Sequence, residues 1–170
     1  MRIKIQNLIL LFGLLVFGLS SCKTSTPQVD YGALVNASRK MGIEIEYTDN
    51  LKLYLEGASW IGTPYRNGGN TRSGIDCSGF TKQVFSKVYA YPLERTTGGQ
   101  RKQTKKIAKR NLKEGDLVFF SSNNSRGKVA HVGIYLKDDL FIHASTSRGV
   151  IVSNLKSQYY KKHWLYGGRI

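Results

Sequence analysis

The stretch Gly74-Ile75-Asp76-Cys77-Ser78-Gly79-Phe80 constrains this chain more than any other. It joins a helix start to a thiol. Downstream, Phe80, Val84, Phe85 and Val88 recur at helical spacing and share one face. Asp76 stands where a carboxylate can accept from the amides of a first turn. Cys77 therefore sits at the positive end of a helix dipole, on a helix whose apolar face must be buried. Any fold for this chain has to pack that helix and keep its first turn reachable. A thiol so placed is biased toward thiolate, the nucleophilic form.

The one other cysteine, Cys22, has a different setting. Arg2 and Lys4 precede an apolar run over residues 8–19, which has the size of a signal-peptide core and is short for a bilayer span. The run ends in Leu19-Ser20-Ser21-Cys22, which resembles the lipobox of bacterial lipoproteins. That resemblance implies export, cleavage before Cys22 and acyl chains on Cys22 that hold the protein to a membrane. Lys23, where an aspartate would signal retention in enteric lipoproteins, implies the outer membrane of the cell envelope, with the domain facing the periplasm. Once Cys22 is lipidated, Cys77 has no disulfide partner, and an odd thiol in an exported chain points to reactivity. An inert core cysteine is the plain alternative. Cys77, however, lies between two polar residues and not in an apolar run.

These segments divide the chain into a signal peptide at 1–21, a lipidated tether and N-terminal extension at 22–49, and a main domain at 50–170. Hydrophobic residues make up 41% of the 170, enough for a core without disulfides. The formal net charge of +15 favours anionic partners. Export argues against nucleic acid as that partner. A monomer is expected.

Residues 31–41 have weak helical spacing, 43–47 alternate like a half-exposed strand, and 51–62 read as a helix with capping residues ahead of it. Residues 63–69 form a loop that contains Tyr65. The basic segment 91–110 reads as a solvated face. Leu117-Val118-Phe119-Phe120 is a buried strand, with Asp116 in the turn before it in a structural role. Residues 130–136 and 140–144 read as a hairpin around Lys137-Asp138-Asp139. A three-residue loop sets Gly133 opposite His143, so His131 and His143 fall on one side of the ribbon, diagonal to each other. His163, flanked by cations, is expected at the surface. Further strands at 149–153 and 164–170 complete an α+β chain, with N-terminal helices packed on a mostly antiparallel sheet.

A thiol with pKa near 8.5 is only about 3% ionised at pH 7, and a two-unit shift takes roughly 2.7 kcal/mol. A helix terminus supplies about 0.3–1 kcal/mol. An imidazolium about 4 Å away supplies on the order of 4 kcal/mol at an effective dielectric of 20. The histidine is the larger influence, so the economical assembly packs Cys77 against the histidine face. Cys77 then attacks a carbonyl, His131 exchanges the proton, and His143 orients His131. The competing use of two histidines and a cysteine is a zinc site, but the spacings that mark one are absent.

Five ordered stretches carry a family resemblance: Gly62-Thr63-Pro64-Tyr65-Arg66-Asn67-Gly68-Gly69, Ile75-Asp76-Cys77-Ser78-Gly79-Phe80, Gly115-Asp116-Leu117-Val118-Phe119-Phe120, His131-Val132-Gly133-Ile134-Tyr135 and Phe141-Ile142-His143-Ala144-Ser145. Together they resemble the NlpC family of papain-like cell-wall cysteine peptidases, and most of all its lipid-anchored murein endopeptidases. The resemblance implies a papain-like core and a Cys-His-His triad at Cys77, His131 and His143. It implies a supporting tyrosine at Tyr65, substrate contacts at Asp76 and Ser78, peptidoglycan stem peptides as substrate, and no cofactor. Relatives that cut the γ-D-glutamyl bond often carry added wall-binding domains, for which this chain has no room. Cleavage of D-Ala to diaminopimelate cross-links is therefore the expectation. A non-catalytic wall-binding lipoprotein is the alternative of another class.

Overall fold

The structure is a computed structural model that describes residues 30–170 except Arg126. Cys22, the apolar run 8–19 and most of the tether lie outside the described residues. Among the described residues no helix is long and apolar enough to cross a membrane.

Two helices lead into the domain. Helix α1 (Tyr31–Met41) turns Leu34, Ala37 and Met41 inward. Helix α2 (Leu51–Trp60) starts where Asn50 Oδ1 accepts from Leu53 N at 3.2 Å. The segment between them differs from the expected strand. Ile43 is buried and Ile45 packs against the core, so the alternation is real. Among the described residues no strand pairs with it, and Glu46 N donates instead to Asp49 Oδ2 in a turn. Alternating burial alone does not make a ladder.

A short hairpin, β1 (Asn70–Thr71) with β2 (Gly74–Ile75), feeds helix α3 (Cys77–Tyr89). Helix α3 buries Phe80, Val84 and Phe85, the face its spacing predicts. Complete burial of a side chain such as Phe80 contributes about 1.5–3 kcal/mol. Helix α4 (Thr97–Lys102) follows, then β3 (Lys105–Ile107), β4 (Leu117–Phe120), β5 (His131–Tyr135), β6 (Leu140–Ser145), β7 (Gly149–Asn154), helix α5 (Gln158–His163) and β8 (Trp164–Arg169).

The six longer strands form one antiparallel sheet in the order β3-β8-β4-β5-β6-β7. Strand β4 is central and buried on both faces. Leu117 and Phe119 join the main core with α1, α2 and α3, whereas Val118 and Phe120 join a smaller cluster with Phe141, Tyr160 and Trp164. Asp116 has the structural role expected of it. Its carboxylate takes the Arg169 guanidinium at 2.6 Å and Lys113 N at 2.7 Å.

Two expectations need correction. His163 is buried, not at the surface: its ring packs on Tyr159 at 4.5 Å and its Nδ1 meets Ser121 Oγ at 3.3 Å. The final turn of α5 turns His163 inward while Lys161 and Lys162 stay exposed. The basic segment 91–110 is not wholly a solvated face either, because Gln100 is completely buried and Leu93 nearly so.

One close approach fixes how α3 begins. A Cβ on Gly79 would lie 2.5 Å from Gly69 O. Gly79→Ala is therefore expected to destabilise the fold by about 1–3 kcal/mol through overpacking against backbone. A urea midpoint unchanged from the parent protein would contradict this.

Candidate active site

Asp76 caps α3 with more than one bond. Its Oδ1 accepts from Gly79 N at 2.7 Å, and its Oδ2 accepts from Gly68 N at 2.9 Å. Arg95 closes on both oxygens, with Nη1 at 2.9 Å from Oδ1 and Nη2 at 2.8 Å from Oδ2. The same guanidinium reaches Ser78 Oγ and Gly69 O. Burial acts to raise the Asp76 pKa. The Arg95 hydrogen bonds, the Gly79 amide, the Arg95 charge and the Gly68 amide outweigh it, and the carboxylate ends below its usual range. Asp76 and Ser78 are both buried in this network. In this structure their side chains serve the cap.

Gln100 completes the scaffold. It accepts from Thr81 Oγ1 at 2.7 Å and donates to Ser78 O at 2.8 Å, which ties α4 to α3. That connection brings Thr97 Oγ1 to 3.7 Å from Cys77 Sγ. Arg95, Thr97 and Gln100 were invisible as site residues because their partners are remote in sequence. The one local signal is Thr96 ahead of two glycines, which marks a helix start, and Thr96 Oγ1 does accept from Gly99 N.

On the sheet, Ile134 pairs with Ile142 and Tyr135 with Phe141, and the Leu136 amide donates to Leu140 O. This register sets Gly133 beside His143, where a Cβ on Gly133 would lie 3.1 Å from His143 Cβ. His131 Nε2 and His143 Nδ1 are 2.8 Å apart, with the rings nearly perpendicular. The far nitrogen of His143, Nε2, lies 2.9 Å from Ser153 Oγ and 3.0 Å from Tyr160 Oη. Phe141 stacks on the His143 ring at 4.9 Å. The result is a chain of hydrogen bonds from His131 through His143 to two hydroxyls. Ser153 and Tyr160 carried no motif in the sequence.

Cys77 meets this array at the start of β5. The amides of Val132, the residue next to His131, and of Ser78 lie close enough to the sulfur to favour its anion. Val132 faces the core that holds α3, whereas His143 and Phe141 face the smaller cluster. The thiol and the imidazole pair thus approach β5 from opposite faces and converge at its first residues. Among the described residues no hydrogen bond joins Sγ to the His131 ring, and His131 Nδ1 has no hydrogen-bond partner.

The electrostatics correct the expectation of a resting thiolate. Burial pushes the Cys77 thiol up, and the Thr97, Val132 and Ser78 hydrogen bonds do not reverse it. Burial pushes His131 down to about 4. Burial, then the charges of His131 and Arg148, hold His143 well below the usual histidine range. Burial therefore disfavours an imidazolium on either ring, and with it the ion pair that would hold a resting thiolate. Sequence arithmetic counted the attraction between opposite charges and left out the cost of burying each one.

Tyr65 lines the same cleft as His131 and His143, a cavity of about 550 Å³. Burial, then the nearby Cys77 and Asp76, push its phenol up, so its hydroxyl remains a donor at neutral pH. Among the described residues no group of three or more His, Cys, Asp or Glu side chains is arranged to hold a metal ion.

A profile of the NlpC/P60 family matches residues 62–169. The chain belongs to the NlpC/P60 family. It is 46% identical over 111 residues to the probable endopeptidase NlpC homolog of Haemophilus influenzae, a match covering 65% of this chain and 57% of that protein. It is 37% identical over 148 residues to the murein DD-endopeptidase MepS/murein LD-carboxypeptidase of Escherichia coli K12, covering 87% of this chain and 74% of the relative. The crystal structure of the NlpC/p60 domain of the peptidoglycan hydrolase SagA aligns with a TM-score of 0.62 and 31% identity, over 72% of this chain and all of that one. The fold is the α+β, papain-like fold of the family.

The depressed histidines make a pH prediction. An unfolded chain takes a proton on each ring near 6.5, whereas the folded His131 refuses it down to about 4. Stability is full above pH 6.5 and falls as the pH drops through that window, by about 3 kcal/mol at most from His131. The urea midpoint is expected to fall between pH 7 and 4.5, and to fall less in His131→Gln. Equal falls in the two proteins would contradict the assignment.

Proposed function

We propose that this chain is a cysteine peptidase that hydrolyses amide bonds in peptidoglycan stem peptides. The observation that carries this reading is the 2.8 Å bond between His131 Nε2 and His143 Nδ1, at the start of the strand whose Val132 amide lies near a cysteine at a helix N-terminus. With its proton on Nε2, His131 donates to His143 Nδ1 and keeps a lone pair on Nδ1. His143 then holds its own proton on Nε2, against Ser153 and Tyr160. His131 Nδ1 takes the thiol proton as Cys77 Sγ attacks the substrate carbonyl, so charge forms only as the bond forms. The Cys77 amide, which has no intrahelical acceptor, and the Tyr65 hydroxyl, which lines the same cleft as His131, are the donors this reading assigns to the oxyanion. His131 next gives its proton to the leaving amine. Water, activated by the same nitrogen, then hydrolyses the thioester.

The finer reading is cleavage of D-Ala to diaminopimelate cross-links by a monomer anchored through lipid on Cys22, at the outer membrane facing the periplasm. The long match to a relative named as a murein DD-endopeptidase supports the choice of bond. The order of charge, apolar core and Leu19-Ser20-Ser21-Cys22 supports the anchor.

Digestion of purified muropeptides tests the reaction. Wild-type protein is expected to remove cross-linked dimers without shortening the stems. Stems cut back to the L-Ala-D-Glu dipeptide, with diaminopimelyl peptides released, would instead indicate γ-D-glutamyl hydrolysis, and no products at all would leave only a wall-binding role. Cys77→Ser is expected to lose at least about a thousandfold in kcat, and His143→Ala less, because His143 acts through His131. Near-normal turnover by Cys77→Ser would refute the mechanism.

A further inference from the structure

The hairpin between β6 and β7 pairs Ser145 with Gly149 and leaves Thr146, Ser147 and Arg148 as its loop. That loop is clamped from outside. Val150 N donates to Thr63 O, and Gly62 N donates to Val150 O, each at 2.9 Å. Gly149 holds φ at 70°, and a Cβ there would lie 2.3 Å from Thr63 O. The backbone that carries Arg148 is thus fixed against the segment leading to Tyr65.

The cleft beside His131 and His143 has one formally charged residue in its lining, Arg148. The rest of the lining is mainly hydroxyl and aromatic groups, including Ser122, Ser147 and Tyr159. Arg148 is exposed, and among the described residues no ion pair holds its guanidinium. Its charge is felt inside, since it helps lower His143 and opposes the rise at Tyr160. The contrast with Arg95 and Arg169 is plain, because each of those is committed to a buried carboxylate.

A carboxylate entering a cleft of hydroxyls and aromatic rings loses water and needs a charged partner. A guanidinium supplies two parallel donors and fixes the carboxylate's plane as well as its position. Stem peptides carry free carboxylates on the D-glutamyl and diaminopimelyl residues. Resting on the substrate class argued above, we propose that Arg148 anchors one stem-peptide carboxylate in this cleft and so sets which end of the substrate lies beside the histidines.

The test uses soluble cross-linked muropeptides in three forms: carboxyls free, the D-glutamyl α-carboxyl amidated, or the diaminopimelyl ε-carboxyl amidated. Arg148→Ala is expected to raise KM on the free acid about tenfold with kcat changed less than about twofold. One amidation is expected to raise the wild-type KM by a similar factor, and Arg148→Ala should add nothing further on that substrate. That arm identifies the carboxylate. Arg148→Lys should recover part of the loss.

The same three ligands, titrated by calorimetry into Cys77→Ser with and without Arg148→Ala, read binding without turnover. A KM and an affinity on the free acid that Arg148→Ala leaves within twofold overturn the anchor. So does an equal added loss on every amidated form. If the wild type cleaves muropeptides but is indifferent to Arg148, only the anchor fails. If Cys77→Ser binds the free acid through Arg148 while the wild type cleaves nothing, only the hydrolase reading fails. If nothing binds and nothing is cleaved, both fail.

Discussion

The hydrogen bond between two imidazoles, His131 Nε2 to His143 Nδ1, is the interaction on which the site depends. It exists because three residues, Lys137, Asp138 and Asp139, separate Leu136 from Leu140, its hydrogen-bonded partner across the hairpin. Asp138 and Asp139 adopt positive φ, which aspartate tolerates better than most residues. One residue more or fewer would move His143 to the opposite face of the sheet. The bond also sets the proton positions. A neutral ring whose Nε2 donates must leave Nδ1 as the basic atom, and Ser153 with Tyr160 can hold the far proton of His143.

The helix side answers a different problem. A nucleophile at a helix N-terminus competes with the capping side chain for the same amides. Here Asp76 takes Gly79 N and Gly68 N, and Arg95 neutralises the carboxylate that would otherwise sit unpaired beside the sulfur. The Val132 and Ser78 amides remain near the sulfur and favour its anion. Burial nonetheless outweighs those donors, so the resting thiol is neutral. Proton transfer to a neutral imidazole during attack costs less than storing a charge on a thiol as buried as Cys77.

Much of the fold was legible because local patterns carry it. The 3.6-residue spacing of Phe80, Val84 and Phe85 gave α3, and loop parity gave the relation of His131 to His143. What escaped was long-range pairing. Arg95 belongs to a charge run whose other members, such as Lys102 and Lys105, are exposed. Nothing local separates it from them, yet it crosses to Asp76, Ser78 and Gly69. His163 was misread for a related reason. Its lysine neighbours describe the outer face of α5, whereas its own position is set by packing on Tyr159 and Ser121. The resting charge of Cys77 was misjudged because helix dipole and imidazolium can be read from residue types, but depth of burial cannot. Arg148 shows the converse. That no ion pair holds it among the described residues becomes visible only once the carboxylates around it are placed.

Long-range 1H–15N correlation spectra of the histidine side chains at pH 7 test the centre of this account most directly. The account predicts that His131 is neutral with its proton on Nε2, and that His143 is neutral with its proton also on Nε2. An imidazolium at His131 at that pH, or a neutral ring with its proton on Nδ1, would contradict it.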